Sequence, residues 1–207
     1  MHRRIGIDFD NTVICYDEVF HRLAVEAGLM GMHSPRLQKA VREAARCSPE
    51  GDVAWQRLQG QAYGPRIHEA TPAPGVLPFL HKAKEAGLEV HIISHKTPYA
   101  SIDPSRTNLQ RAAEGWLAEH GFFGAETGLD SRRFHCGITR QEKITQIQTL
   151  CCTHFIDDLE ETFQEASFPT ATQPILYAPG GESAPSDLPN LWVTRSWAEI
   201  AGRVLRG

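Results

Sequence analysis

The sequence predicts an α/β fold, a doubly wound parallel sheet with a small α-helical insertion. Three observations lead to this prediction. Short apolar segments alternate with helical patterns along most of the chain, as in sheets built from strand-helix-strand units. The first apolar segment, Arg4 to Phe9, is mostly apolar, which is close to the pattern of a strand covered on both faces. About 60 residues then follow without a strand pattern, far more than a strand-to-helix connection uses.

The predicted core alternates strands with helices. Helices are expected between the strands because each helical segment has suitable ends: one runs from Pro74 to Gly87, and another opens with the capping box of Thr139 and Glu142. The predicted strands are residues 4–9, 88–94, 132–136, 153–157, 174–178 and 191–194. The predicted helices are residues 74–87, 103–121, 139–150 and 196–205.

Residues 14–71 are predicted to form a separate helical domain, inserted into a core made of residues 1–13 and 72–207. Its first helix carries apolar residues such as Val19, Phe20 and Leu23 at helical spacing. A second helix is expected to start at the N-cap Ser34. A third is expected in residues 51–64.

Composition limits the functional classes. The chain has 207 residues, 41% of them hydrophobic, and a net charge of -4 without a long basic or acidic run. Nucleic acid and anionic membranes are therefore disfavoured as partners, and the oligomeric state is not indicated. The five scattered cysteines lack a CxxC spacing, so neither a disulfide framework nor a zinc site is expected. The first apolar run is too short for a signal peptide; a cytoplasmic location fits best.

Acidic and cationic residues gather where the predicted strands end. The carboxyl ends of parallel strands lie at one edge of the sheet, where ligands bind. Carboxylates placed together there would repel one another unless a cation lay among them, and hard oxygen ligands suit Mg²⁺. The residues expected at this edge are Asp8, Asp10, Ser94, Lys143, Asp157 and Asp158.

Four segments of the chain resemble, in order, the signature segments of the haloacid dehalogenase-like (HAD) hydrolase superfamily. They are DFDNTV, HIISHKT, EKITQI and HFIDDLEET, which begin at residues 8, 91, 142 and 154. The resemblance spans the whole chain. It implies a Rossmann-like core, with residues 14–71 as a cap that closes over the active site and excludes water.

The resemblance also implies a role for each residue at this edge. Asp8 corresponds to the nucleophile that forms an aspartyl-phosphate, and Asp10 to the general acid and base. Thr12, Ser94 and Lys143 are expected to bind the phosphoryl group. Mg²⁺ would be held by Asp8, Asp10 through its backbone carbonyl, Asp157 and Asp158, and which of the last two ligates directly is open. His95, Lys96, Tyr63 and Arg66 are further candidates for substrate contact.

The sequence therefore predicts a Mg²⁺-dependent phosphatase acting on a small phosphomonoester such as a sugar phosphate or a nucleotide. The dehalogenase branch keeps the nucleophile but lacks the second aspartate, so Asp10 favours phosphoryl transfer. A phosphotransferase or phosphomutase would use the same residues, and a non-catalytic binding protein on this fold is a third alternative. Taken singly, Asp8 and Asp10 could be a solvated turn, Lys143 a surface lysine, and Asp157 and Asp158 a helix N-cap.

Overall fold

A computed structural model describes residues 3–181, 188 and 190–206. Within them the strands are β1 Arg4–Ile7, β2 Ile14–Cys15, β3 Thr71–Pro72, β4 Glu89–His95, β5 Phe134–Gly137, β6 His154–Asp157, β7 Gln173–Tyr177 and β8 Trp192–Thr194. The helices are α1 Asp17–Glu26, α2 Gln38–Cys47, α3 Asp52–Tyr63, α4 Val76–Glu85, α5 Leu109–Glu119, α6 Arg140–Thr149, α7 Glu160–Gln164 and α8 Trp197–Val204.

Six of the strands form one parallel sheet in the order β5-β4-β1-β6-β7-β8. All six are strands that the sequence predicted. The chain builds the sheet outward from β1 in one direction and then in the other, so the order of the strands reverses beside β1. In such sheets the crevice at the carboxyl end of the reversal point is where ligands bind. The two short strands β2 and β3 form a ladder of their own and were not predicted.

The apolar strand segments are buried, as their sequences indicated. Ile5 and Ile7 of β1 are fully buried, as are Phe155 and Ile156 of β6. One apolar cluster joins strands β4, β6 and β7 to α6 and α7; its buried members are Ile93, Ile147, Cys152, Phe155, Phe163, Leu176 and Ala178. Burial of this kind, at about 25 cal/mol per Å² of apolar surface, holds the sheet and so fixes the positions of the strand ends.

The chain divides into two compact units. The first contains the sheet and consists of Met1–Val13, Pro72–Lys96 and His120–Gly207. The second is helical and consists of Ile14–Thr71 and Thr97–Glu119. The second stretch differs from the prediction, which placed residues 97–119 in the core.

Contacts within the helical unit explain why Thr97–Glu119 belongs to it. Trp116 Nε1 donates a hydrogen bond of 3.0 Å to the carbonyl of Ala70, and α5 packs against α3. A Cβ atom at Gly60 would lie only 2.3 Å from the carbonyl oxygen of Ile102, so the glycine permits the loop before α5 to lie against α3. The helical pattern of α5 predicted a helix but not the neighbours it packs against.

Two predicted helix starts were wrong. Helix α2 begins at Gln38, with Leu37 as an N-cap in an extended conformation, because the backbone N–H of Gln38 donates to Asp17 Oδ1 at 2.7 Å and is thereby capped at this point. Helix α5 begins at Leu109, since the Asp103 carboxylate accepts hydrogen bonds from the backbone N–H groups of Ser105 and Thr107 and forms a turn instead.

The cap predicted for α6 is confirmed. The Thr139 side chain accepts a hydrogen bond from Glu142 N at 3.1 Å. The Glu142 carboxylate accepts one from the backbone N–H of Ile138 at 2.7 Å. These two bonds fix the start of the helix that carries Lys143.

The five cysteines are free thiols. Across the described residues, the helices are too short or too polar to traverse a lipid bilayer.

Candidate active site

The turn that follows β1 presents two carboxylates. Asp8 is anchored through its backbone N–H, which donates to the carbonyl of Ile156 at 2.8 Å. The chain then turns tightly, with Val13 N donating to the Phe9 carbonyl at 3.0 Å and Asn11 in the left-handed region at φ 55°. Asparagine tolerates this conformation better than most residues. The segment thus carries both Asp8 and Asp10 on one short turn.

The Lys143 side chain connects the carboxyl ends of β1 and β6. Its Nζ lies 2.6 Å from Asp8 Oδ1 and 2.6 Å from Asp157 Oδ2. The three side chains are 4%, 7% and 0% exposed. Burial lowers the pKa of Lys143, but Asp157 and Asp8 outweigh it and raise that pKa above its usual value. Lys143 is therefore a buried ammonium shared by two carboxylates.

Gly137 allows α6 to begin close to β5. A Cβ atom on Gly137 would lie 2.9 Å from the backbone nitrogen of Lys143, closer than real Cβ atoms approach, and 3.0 Å from Cβ of Glu142, which is tighter than most such contacts. The glycine therefore brings the first turn of α6 near enough for Lys143 to reach the strand ends.

Asp8, Asp157 and Asp158 form a cluster in which one oxygen from each lies within 4.8 Å of the others. Burial raises the pKa of Asp8 to about 7, with Asp157 and Asp10 adding to this and Lys143 opposing it. The pKa of Asp158 is raised well above its usual value by burial and by the charges of Asp157 and Asp8. Without a cation, the cluster resists carrying its full negative charge.

This cluster fits a divalent cation. Its donors are hard carboxylate oxygens, as Mg²⁺ prefers. Four carboxyl groups, those of Asp8, Asp10, Asp157 and Asp158, are accompanied by two ammonium groups, which are contributed by Lys143 and Lys96. A single divalent ion would supply the two positive charges that are missing.

Asp157 and Asp158, at the end of β6, differ in the hydrogen bonds that their carboxylates accept. Asp157 Oδ2 accepts from Lys143 and its Oδ1 accepts from the backbone N–H of Leu159 at 3.0 Å. The Asp158 carboxylate accepts no hydrogen bond from the residues that the structure describes. Asp158 therefore offers the more available oxygens.

Two buried hydroxyls are without a hydrogen-bond partner among the described residues: Thr12 Oγ1, in the turn after β1, and Ser94 Oγ, near the end of β4. Both residues are fully buried. Leaving a buried hydroxyl unpaired costs about 1–3 kcal/mol, so both groups are suited to a ligand with oxygen acceptors. Ser94 lies on the strand beside β1, two residues beyond the partner of Ile7.

Asp10 is held by a lysine that the sequence assigned to substrate. Lys96 Nζ lies 2.9 Å from Asp10 Oδ1 and 2.8 Å from Asp10 Oδ2. The lysine side chain is 3% exposed and the aspartate side chain 22%. Sequence reasoning missed this pair, because position 96 lies beyond the strand pattern that located Ser94.

The remaining predicted substrate residues have contacts within their own units. His95 Nε2 lies 3.0 Å from the carbonyl of Ile138. In the helical unit, the Tyr63 hydroxyl accepts from Gln38 at 3.2 Å, and the Tyr63 ring meets that of Tyr16 edge to face.

Arg66 forms ion pairs with Glu69 and Glu26. These contacts give Tyr63 and Arg66 structural roles in the helical unit. Their contact with a substrate stays a prediction.

Comparisons with known proteins show what this chain is similar to. No family model matches it. A curated Bacillus cereus protein named "Putative nucleotidase" is 26% identical over 160 residues, which are 75% of this chain and 76% of that protein.

Solved structures share the fold across nearly the whole chain. A "predicted phosphatase" from Clostridium acetobutylicum has a TM-score of 0.61 at 12% identity, covering 99% of both chains. A Bacillus subtilis HAD-hydrolase solved with magnesium has a TM-score of 0.59 at 10% identity, covering 100% of this chain and 99% of the other. A dehalogenase also matches, with a TM-score of 0.58 at 15% identity over 100% and 98% of the two chains. The chain thus has the fold of the HAD-like hydrolases, as its motifs indicated.

Proposed function

We propose that this protein is a Mg²⁺-dependent phosphatase of the HAD-like superfamily, which hydrolyses a small phosphomonoester through an aspartyl-phosphate on Asp8. One observation carries the proposal. The ammonium of Lys143 bridges Asp8 and Asp157 at 2.6 Å each, beside the acidic Asp158. A carboxylate held in this way next to a cation site is suited to attack phosphorus.

The first half of the reaction transfers the phosphoryl group to the protein. An oxygen of Asp8 attacks phosphorus while the ester P–O bond breaks, and the leaving oxygen takes a proton from Asp10. Lys143 offsets negative charge on the phosphoryl oxygens, and the hydroxyls of Thr12 and Ser94 donate to them. This use accounts for two buried hydroxyls that lack a hydrogen-bond partner in the part of the chain that the structure describes.

The second half regenerates Asp8. Asp10, now a carboxylate, takes a proton from a water molecule whose oxygen attacks phosphorus. The bond between phosphorus and Asp8 breaks, and inorganic phosphate leaves. The same residue thus acts first as an acid and then as a base, while Asp8 returns to its starting form.

Mg²⁺ would be held by carboxylate oxygens of Asp8, Asp157 and Asp158 and by the backbone carbonyl of Asp10. Bound there, the ion would orient the phosphate and neutralise part of its charge. The hydrogen bonds that already occupy both oxygens of Asp157 favour Asp158 as the more direct ligand of the pair.

One comparison supports a choice of substrate. The similarity to the Bacillus cereus "Putative nucleotidase" favours a nucleotide over a sugar phosphate. The helical unit follows the first motif in the chain, and we assign it the role of a cap that selects the leaving group. Five free cysteines suit a reducing compartment such as the cytoplasm.

Phosphate release tests the proposal. The protein should release phosphate from 4-nitrophenyl phosphate and from some member of a panel of nucleoside monophosphates and sugar phosphates, and chelation of Mg²⁺ should abolish release. Asp8→Asn should lower turnover by about 10³-fold or more. Acid quenching during turnover should trap a phosphoryl group on Asp8. Mg²⁺-independent release, or full activity of Asp8→Asn, would contradict the mechanism.

The alternatives give different results in the same assays. A phosphotransferase or phosphomutase would release little phosphate and would transfer the group to an added acceptor. A dehalogenase would liberate halide from a 2-haloacid, which the presence of Asp10 disfavours. A non-catalytic binding protein would show no turnover, and fluoroberyllate with Mg²⁺ would fail to raise its melting temperature.

A further inference from the structure

We infer that Lys96 is a positioning residue that holds the carboxyl group of Asp10 in the orientation needed for proton transfer to the leaving oxygen. The inference rests on the proposed phosphatase function, because it assigns a partner to the acid of that reaction. Lys96 then has no direct part in binding the phosphoryl group.

The lysine is fixed at both ends. Its backbone N–H donates to the carbonyl of Gly137 at 2.8 Å, which anchors the chain just beyond β4. Its side chain is buried, and Nζ lies 5.5 Å from the centre of the Phe9 ring. A buried side chain with these restraints has little rotational freedom, so its charge lies at a defined point.

The aspartate is the more exposed partner. Its side chain is 22% exposed and projects from a turn in which Asn11 adopts a left-handed conformation. The ammonium lies within 3 Å of both oxygens, at 2.9 and 2.8 Å, and this two-point contact sets the direction in which the carboxyl group faces.

The contact is compatible with both protonation states of the acid. When one oxygen of Asp10 carries a proton, the other oxygen can still accept a hydrogen bond from Lys96. After the proton has passed to the leaving oxygen, the carboxylate can accept from Nζ through both oxygens. The orientation therefore persists through the catalytic cycle.

The two lysines divide the acidic groups between them. Lys143 contacts Asp8 and Asp157, while Lys96 contacts Asp10. Lys143 therefore lies with the nucleophile and the cation site, and Lys96 lies with the proton donor. This separation predicts different effects when each lysine is removed.

Leaving-group dependence tests the inference. Departure of 4-nitrophenolate needs little protonation, whereas departure of phenolate depends on the acid. For Lys96→Met, kcat/KM should fall about 10–100-fold more with phenyl phosphate than with 4-nitrophenyl phosphate, since a positioned acid contributes about 10²–10⁴-fold. The inhibition constant of inorganic phosphate should change by less than about threefold, because phosphate binding does not use Lys96. Lys82→Met, which removes an exposed lysine on α4, is the matched control and should change neither quantity.

Several results would overturn the inference. Equal losses with both substrates, or a phosphate inhibition constant that rises in step with the loss of kcat/KM, would make Lys96 a substrate-binding residue. In the Asp10→Asn background, a further selective loss on adding Lys96→Met would show that the lysine does not act through Asp10. If Lys96→Met does not fold, Lys96→Arg replaces it: a smaller loss, again selective for phenyl phosphate, supports positioning, and an unchanged ratio opposes it.

Failure of the proposed function would be recognised separately. In that case the wild-type protein releases no phosphate from either substrate with Mg²⁺. The contact between Lys96 and Asp10 is then tested by measuring the free energies of unfolding of Asp10→Asn, Lys96→Met and the double variant. Non-additive stabilities support Lys96 as the group that holds Asp10, and additive ones refute it.

Discussion

Lys143 and Asp8 form a buried ion pair, with 2.6 Å between Nζ and Oδ1 and side chains that are 4% and 7% exposed. The pKa of Asp8 is nevertheless raised, to about 7, because burial and the neighbouring carboxylates outweigh the lysine. The native state therefore holds Asp8 in surroundings that disfavour its charged form. Such a cost is typical of groups retained for activity rather than for stability.

Asp8→Asn should stabilise the metal-free protein while abolishing turnover. A carboxyl group whose folded pKa lies above the usual value of 3.8 costs no stability at low pH and its full cost above about pH 7. The gain in stability from Asp8→Asn should therefore grow as the pH rises from about 5 to about 8. Each 1 kcal/mol should raise the melting temperature by about 2–4 °C.

The measurement is thermal unfolding in EDTA at both pH values. Glu119→Gln, on the exposed end of α5, is a control that should show no pH-dependent gain. A gain that shrinks as the pH rises would refute the burial cost assigned to Asp8.

Asp158→Asn should weaken Mg²⁺ binding more than Asp157→Asn does. Asp158 has the more available oxygens, so its loss should raise the Mg²⁺ concentration for half-maximal activity by at least about 10–100-fold. Asp157→Asn should act mainly on folding, because Asp157 is fully buried and both of its carboxylate oxygens accept hydrogen bonds, one from Lys143 and one from the backbone N–H of Leu159. Losing a buried hydrogen bond of this kind costs about 1–3 kcal/mol. Mg²⁺ titration of activity and urea unfolding separate the two effects. The reverse pattern would identify Asp157 as the main ligand.

Gly137→Ala should damage the site from a position that touches no substrate. Its Cβ would lie 2.9 Å from the backbone nitrogen of Lys143, so the first turn of α6 must move and take Lys143 with it. We expect a loss of about 1–3 kcal/mol in stability and a fall in kcat.

Gly202→Ala in α8 is the matched control. Beyond its own helix, no described residue lies within 4 Å of the Cβ position there, so alanine should stabilise the helix by about 0.5–1 kcal/mol. Both stabilities can be measured by urea unfolding. Wild-type activity in Gly137→Ala would show that the close approach does not position Lys143.

The pair His91 and His135 should make the sheet unit sensitive to mild acid. His91 Nδ1 lies 3.1 Å from His135 Nε2, a contact that one shared proton satisfies and two protons would disrupt. Burial lowers the pKa of both imidazoles, and His91 adds to this effect at His135. When the pKa of a histidine is lower in the folded state than in the unfolded state, the unfolded state binds the proton more readily. The histidine then favours the folded state above its unfolded pKa of about 6.5, and this stability is lost as the pH falls.

His135→Gln should therefore reduce the stability lost between about pH 7 and pH 5. Urea unfolding at the two pH values measures the difference, with the exposed His33→Gln as control. An unchanged acid sensitivity in His135→Gln would mean that other groups cause it.

Local patterns in the sequence were sufficient to predict the strands of the sheet. Strands such as β1 and β6 are buried at every residue but the first, so their apolar composition identifies them without knowledge of their neighbours. The cap of α6 was likewise readable, since Thr139 and Glu142 act on backbone groups within four residues of themselves. The residues at the strand ends followed from the order of the strands.

The division into two units could not be predicted in full. Helix α5 has an apolar face that would suit either unit, and the contact of Trp116 with Ala70 spans 46 positions in the chain. A periodic pattern shows that a face is buried but not which surface covers it. The structure therefore groups residues 97–119 with the helical unit, whereas the sequence placed them in the core.

By itself, the sequence determined the parallel sheet and the set of acidic and cationic residues at its carboxyl edge, because burial and strand order act through local patterns. Only the tertiary structure decided how those charges pair: Lys143 with Asp8 and Asp157, and Lys96 with Asp10. These pairs join residues separated by up to 135 positions. Pairing over such distances depends on the positions of several strand ends in space, which no local pattern records.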